Sequence, residues 1–234
     1  MLINLREYAT ELEYWLDAFG PFIASESLPA LRNLQRELED GRDNYRPRFD
    51  WKLPHPILTN VADRYDGPDR SPHGIRLGWQ FTSSFSATAD SRRRHIWSVD
   101  SMVTHIKVYS AEDNSEILHF HVDLKNRDQL GPHVHMQLSE HYLKDKGRIP
   151  LAIPRFPSAA LLPTDCFDLV LCEVFPFSWP RSQSGSRGLA TLRQGQQCRF
   201  VAMSQALVQE WRKSPRKTPI AALQNCGFPD ILLA

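Results

Sequence analysis

The chain is poor in the features that mark several whole classes of protein. Only four cysteines, Cys166, Cys172, Cys198 and Cys226, occur in 234 residues. None forms a CxxC pair and their spacing makes no ladder, which excludes a zinc ribbon and a disulfide scaffold and leaves reduced, mostly packed thiols. No stretch approaches the ~18 consecutive apolar residues of a membrane span. Arg6, Glu7, Glu11 and Glu13 interrupt the first apolar pattern, so it does not read as a secretory signal. Internal repeats and low-complexity tracts are lacking, and so is an excess of charge: 28 basic residues face 27 acidic ones. With 41% hydrophobic and 24% charged residues, the composition is that of a globular chain and not a disordered one. The expectation is a cytoplasmic protein with no membrane contact, folded as one domain over residues 1–234.

Charge is nevertheless unevenly spread. Residues 1–50 carry six basic against ten acidic side chains, and residues 181–234 carry eight against two. A basic C-terminal quarter has two readings. It meets phosphates, each neutralised phosphate releasing condensed counterion, or it docks on the acidic N-terminal helices of its own chain. Arginine outnumbers lysine 21 to 7, a bias that suits bidentate contacts to phosphate or carboxylate.

Periodicity divides the chain into three stretches. In residues 1–43, Leu2, Leu5, Ala9, Leu12, Trp15, Leu16 and Phe19 recur at three- and four-residue steps, Gly20-Pro21 stops the run, and Leu28, Leu31, Leu34 and Leu38 resume it behind Pro29. That pattern predicts a helical hairpin. Residues 44–74, with Pro47, Pro54, Pro56, Pro68 and Pro72, read as an irregular connection. From about Gly74 to residue 140 the period changes to two. Segments 74–86, 94–109, 116–124 and 133–139 are predicted as consecutive strands of an antiparallel meander. Residues 141–234 begin with a Pro-rich crossing, and Thr164-Asp165 then caps a short apolar helix. A Ser/Gly/Arg-rich mobile loop follows over 180–196, then an edge strand near 198–203, a helix from Ser204 to Lys213 and a last helix opened by Thr218-Pro219. The fold class expected is α+β: an antiparallel sheet backed by an N-terminal helical hairpin, with short C-terminal helices.

Four of the nine histidines fall within seventeen residues. They lie in His119-Phe120-His121-Val122-Asp123 and, after a turn, in His133-Val134-His135-Met136-Gln137. Alternate side chains of a strand share a face, so His119, His121 and Asp123 oppose Leu118, Phe120, Val122 and Leu124. His133, His135 and Gln137 likewise oppose Val134, Met136 and Leu138. Paired as a hairpin, the two histidine rows lie on one side of the sheet, and the strand before them adds His105, Lys107 and Tyr109 in the same parity. Three uses fit such a face. His119, His121, His133 and His135 are candidate ligands for a divalent metal such as zinc, manganese or iron, with Asp123 as a further ligand or an orienter. The same histidines serve metal-free acid–base or nucleophilic work at phosphoryl groups. A face of histidines bonded only to each other, Asp123 and Gln137 is the structural alternative. His105, Lys107 and Gln137 are candidate substrate contacts, joined by Arg187, Arg193 and Arg199 of the basic tail. Arg92-Arg93-Arg94 reads as a solvated turn, and Trp179 as an anchor that ties a loop to the core.

Two resemblances attach to these residues. Pro132-His133-Val134-His135-Met136-Gln137-Leu138 resembles the HφHφQφ motif of histidine-triad nucleotidyltransferases. That likeness implies His135 as nucleophile toward a nucleotide phosphate, with His133 and Gln137 positioning it. The Asn/Gly-rich loop upstream in that family is here Lys125-Asn126-Arg127-Asp128-Gln129-Leu130-Gly131. The wider pattern of HxHxD, a turn and PHxHxQ resembles small bacterial proteins of toxin–antitoxin and phage-defence neighbourhoods, including TumE-like toxins, over roughly residues 75–180. It implies a toxin or accessory role beside a protein partner from the same operon. The function expected is hydrolysis or transfer at a phosphate ester of a nucleotide or nucleic acid. The rival is a non-catalytic binding subunit whose groove receives a strand or a peptide.

Overall fold

The computed structural model describes residues 1–44, 47–62, 74–88, 95–124, 134–138, 156–157, 162–176, 178–182 and 187–213. Chain order is β1 (Leu2–Asn4), α1 (Leu5–Phe19), α2 (Leu28–Asp43), β2 (Arg48–Leu58), β3 (Ile75–Ala87), β4 (Ile96–Ser110), β5 (Glu116–Leu124), β6 (Val134–Leu138), β7 (Phe156–Pro157), α3 (Pro163–Val174), α4 (Ser178–Ser182) and α5 (Arg187–Arg212). The strands form one seven-stranded sheet in the order β2-β3-β4-β5-β6-β7, every pair antiparallel, with β1 on the N-terminal end of β4. The class is α+β, with the helical pair and the later helices set against the sheet. Among the described residues no helix is long and apolar enough to cross a membrane.

Local chemistry explains each boundary. Residues 2–4 pair with β4 instead of opening the helix, because Asn4 is the cap: its Oδ1 accepts from the backbone N–H groups of Arg6 and Glu7 at 3.2 and 3.3 Å. A single turn of 3-10 helix over Gly20–Phe22 turns the chain after α1, and α2 starts with proline in its first turn. In α3 the N-cap is Leu162, so Thr164 and Asp165, expected to cap the helix, lie inside its first turn; Asp165 still serves the helix start, its carboxylate accepting from the Leu162 N–H at 3.2 Å.

The core lies between one face of the sheet and the helices. Trp15 stacks on Phe19 with centroids 4.2 Å apart and touches Trp79 of β3 at 5.1 Å, while Phe167 of α3 lies parallel to Trp79 at 5.1 Å. Trp51, Phe81, Phe85 and Ile106 complete the buried side of the sheet. Burying each such side chain contributes about 1.5–3 kcal/mol. Trp179 is fully buried against Phe19 and Phe22, the anchor expected of it.

Two segments differ from the sequence reading. Residues 48–58, read as irregular because of their prolines, are strand β2. It sits at the sheet edge, and Pro54 and Pro56 fall in its register shift between Leu53 and Ile57. An edge with a bulge is where a strand tolerates proline. Of the mobile loop, edge strand and short helix expected over 180–213, residues 180–182 belong to α4, residues 183–186 lie outside the described residues, and from residue 187 one helix of 26 residues, α5, takes their place. Its Gly188 and Gly195, read as loop residues, mark close approach. A Cβ at 188 would lie 2.2 Å from the Tyr14 ring and one at 195 would lie 2.0 Å from the Glu11 carboxylate. The Arg92-Arg93-Arg94 turn, the Pro-rich crossing up to residue 155 and the last helix opened by Thr218-Pro219 lie outside the described residues.

Candidate functional site

Register places the predicted face residue by residue. Gln80, His105, His121 and Gln137 occupy one row across β3 to β6. Gly78, Lys107 and His119 form the next row, and Thr82, Val103, Asp123 and His135 the row on the other side. Directly opposed residues stand about 5 Å apart at Cβ. This face is opposite the tryptophan core, as parity required. His133 lies outside the described residues, and of His135 and Gln137 the backbone register is what places them, against Asp123 and His121.

Side-chain geometry draws three imidazoles together. His105 Nδ1 and His119 Nε2 are hydrogen-bonded at 3.1 Å. The His105 ring centroid is 5.2 Å from that of His119 and 5.9 Å from that of His121. His121 Nε2 is 3.9 Å from Asp123 Oδ2. The side chains of His119, His121 and Asp123 are 13–16% exposed, so solvent and a small group reach them while most of each is withdrawn from water. Burial first, then the neighbouring His119, His121 and Lys107, pull the His105 pKa down to about 4. At neutral pH His105 is an uncharged imidazole with a lone pair, although the sequence ranked it behind the HxH pairs.

Glu116 was not legible as a site residue. Its parity places it with Leu118 and Phe120 on the core side. The register, however, steps from Val108↔Leu118 to Tyr109↔Glu116, so Ile117 is an extra residue of β5. A bulge re-aims the side chains beyond it, and Glu116 joins the histidine face. Its Oε2 is 3.2 Å from Lys107 Nζ and its Oε1 is 3.7 Å from His119 Nδ1. The signal in the sequence is the exposed Ile117, an apolar residue that breaks the alternation. Tyr109 walls this end; a Cβ on Gly78 would lie 2.6 Å from its ring, so the strand position beneath it is bare. Burial, then the Glu116 carboxylate, push the Tyr109 phenol upward, and it stays protonated at neutral pH.

Arg199 of the basic tail does not reach this face. Arg199 is buried in the helical layer, on the far side of the sheet, with Nη1 2.8 Å from Glu11 Oε2 and Nε and Nη2 2.9 and 2.8 Å from the Asp165 oxygens. Its donors are spent on carboxylates of α1 and α3, which corrects its reading as a phosphate contact. At this residue the docking of the basic tail on the acidic N-terminal helix is the reading that holds. Arg193 is exposed on α5, and Arg187 is the first residue of that helix. Burial raises the pKa of Cys166, a packed thiol as expected, whereas Cys172 and Cys198 are exposed, which corrects their reading as packed.

Among the described residues no group of three or more His, Cys, Asp or Glu side chains is arranged to hold a metal ion. Two of the four expected ligands, His133 and His135, fall outside the side chains described. No family model, curated protein or solved structure matches the chain.

Proposed function

We propose that the chain is an enzyme acting at a phosphate ester of a nucleotide or nucleic acid, through histidine acid–base chemistry on the open face of the sheet. The observation that carries this reading is the His105–His119 hydrogen bond at 3.1 Å with His121 across from His105 in register. Similar side chains stand there in different fields. His105 is kept neutral by burial first and then by its charged neighbours, whereas His121 has the Asp123 carboxylate within 4 Å. Two imidazoles with different partners, one uncharged ring and one beside a carboxylate, set a proton acceptor and a proton donor on one face. In this reading His105 takes the proton of the attacking water or hydroxyl, and His121 returns one to the leaving oxygen as the phosphorus–oxygen bond breaks. Lys107 offers a positive charge to the phosphoryl oxygens. The toxin or defence role implied by the HxH…HxH resemblance is part of the same proposal and gives the assay its substrates.

The test is cleavage of single-stranded RNA, single-stranded DNA and nucleotides by the untagged protein, with and without added zinc, manganese or iron ions. His105→Ala and His121→Ala are assayed beside the wild type. Loss of at least a hundredfold in both variants, with unchanged circular dichroism, supports the reading. Wild-type rates in both remove it.

A further inference from the structure

From the bulge at Ile117 we infer that Glu116 is a positioning residue, fixing which nitrogen of the His105–His119 pair carries each proton so that His105 turns a bare Nε2 toward the substrate. The inference rests on the acid–base reading above and specifies one of its residues.

A hydrogen bond between two neutral imidazoles needs one N–H and one lone pair, and each ring has one of each. With His119 uncharged as well as His105, the contact between His105 Nδ1 and His119 Nε2 admits two arrangements. In one, His119 donates from Nε2 and its Nδ1 is bare. In the other, His119 is protonated at Nδ1 and accepts at Nε2, so His105 donates from Nδ1 and keeps its lone pair on Nε2. Glu116 distinguishes them. Its Oε1 lies 3.7 Å from His119 Nδ1. A carboxylate repels a lone pair there and attracts an N–H, which selects the second arrangement. Lys107 holds the other oxygen, Oε2, at 3.2 Å and so orients the carboxylate. The two oxygens thus have separate tasks. The bulge is what makes this possible, since an unbroken strand would turn Glu116 to the core face.

The experiment reads tautomers and rates separately. Imidazole nitrogen shifts of the full-length protein, from long-range proton–nitrogen spectra at neutral pH without substrate, are compared for wild type, Glu116→Gln and Glu116→Asp. The expected wild-type result is Nδ1–H at both His119 and His105. In Glu116→Gln the His119 Nδ1–H form is expected to give way to a mixture, and the cleavage rate to fall about tenfold or more. Glu116→Asp is expected to recover part of both. An Nε2–H tautomer at His119 in the wild type, a His119 protonated on both nitrogens, or tautomers unmoved in Glu116→Gln, overturns the inference. So does a rate that stays constant while the tautomers move. A protein that cleaves none of the substrates removes the acid–base reading and with it the catalytic meaning of Glu116, yet the spectra still decide its effect on the ring protons.

Discussion

Glu11 and Arg199 lie 188 positions apart in the chain and meet in its interior, with Arg199 Nη1 3.1 and 2.8 Å from the two Glu11 carboxylate oxygens. Asp165 takes the other side of the same guanidinium, so one cation holds α1, α3 and α5 together. Tyr8, also buried, hydrogen-bonds Thr164 at 3.3 Å beside this cluster. Removing the cation leaves two carboxylates with no counter-charge. Arg199→Ala is therefore expected to cost about 3–5 kcal/mol of stability, the range for breaking a buried pair from one side. Urea denaturation of the two proteins measures it. A change below 1 kcal/mol would show that the cluster does not hold the helices.

The same cluster gives stability a pH dependence with a definite sign. Burial first raises the Glu11 pKa from 4.5 to about 7, with Arg199 opposing it and Asp165 and Glu7 adding to it. Between those values the folded state binds the proton that the unfolded state has released. The favourable contribution of Glu11 is thus complete below pH 4.5 and lost as pH rises through 7. The stability of the wild type minus that of Glu11→Gln is expected to fall across this window. A difference that stays flat, or rises, contradicts the assignment.

His105 works in the opposite direction. Its pKa falls from 6.5 to about 4 on folding, so between these values the unfolded chain binds the extra proton. Stability from this group is intact above pH 6.5 and declines as pH drops toward 4. Replacing His105 by Gln removes the titration, and the wild type should lose stability relative to His105→Gln on acidification. Thermal melts at intervals from pH 4 to pH 7 test both groups at once, since their differences have opposite slopes.

Much of this architecture was legible because the periodicities are strong. The period of two put His105, Lys107, His119, His121 and Asp123 on one face, and the register agrees position by position. The helical stripes of α1 and α2 were equally clear. What escaped the alternation were places where a three-dimensional neighbour overrides a local preference. Pro54 and Pro56 read as loop residues, yet at a bulged edge no ladder bond is lost to them. Ile117 adds one residue and moves Glu116 across the sheet, which parity cannot foresee. Gly188 and Gly195 lower helix propensity by about 1 kcal/mol each, and only the approach of Tyr14 and Glu11 explains them. Arg199 carried no mark distinguishing it from exposed Arg193 on the same helix.

Gly195 allows a sharp choice between the helix seen here and the loop that composition suggests. In an exposed loop, Gly195→Ala is neutral, and in an exposed helix interior it stabilises by about 1 kcal/mol through propensity alone. In α5 the new methyl group would stand 2.0 Å from Glu11 Oε1 and 2.5 Å from Glu11 Cδ. Those atoms are held by Arg199 and have little room to yield. Gly195→Ala is therefore expected to destabilise by about 1–3 kcal/mol, the cost of overpacking, despite alanine's higher helix propensity. Glu11→Ala opens the space that the methyl group needs. Adding Gly195→Ala to that variant should then be neutral or stabilising, so that the two substitutions fail to add. Urea denaturation of the four proteins in this cycle measures the coupling. Additive effects would mean that α5 does not approach α1 as closely as the Glu11–Arg199 contact requires.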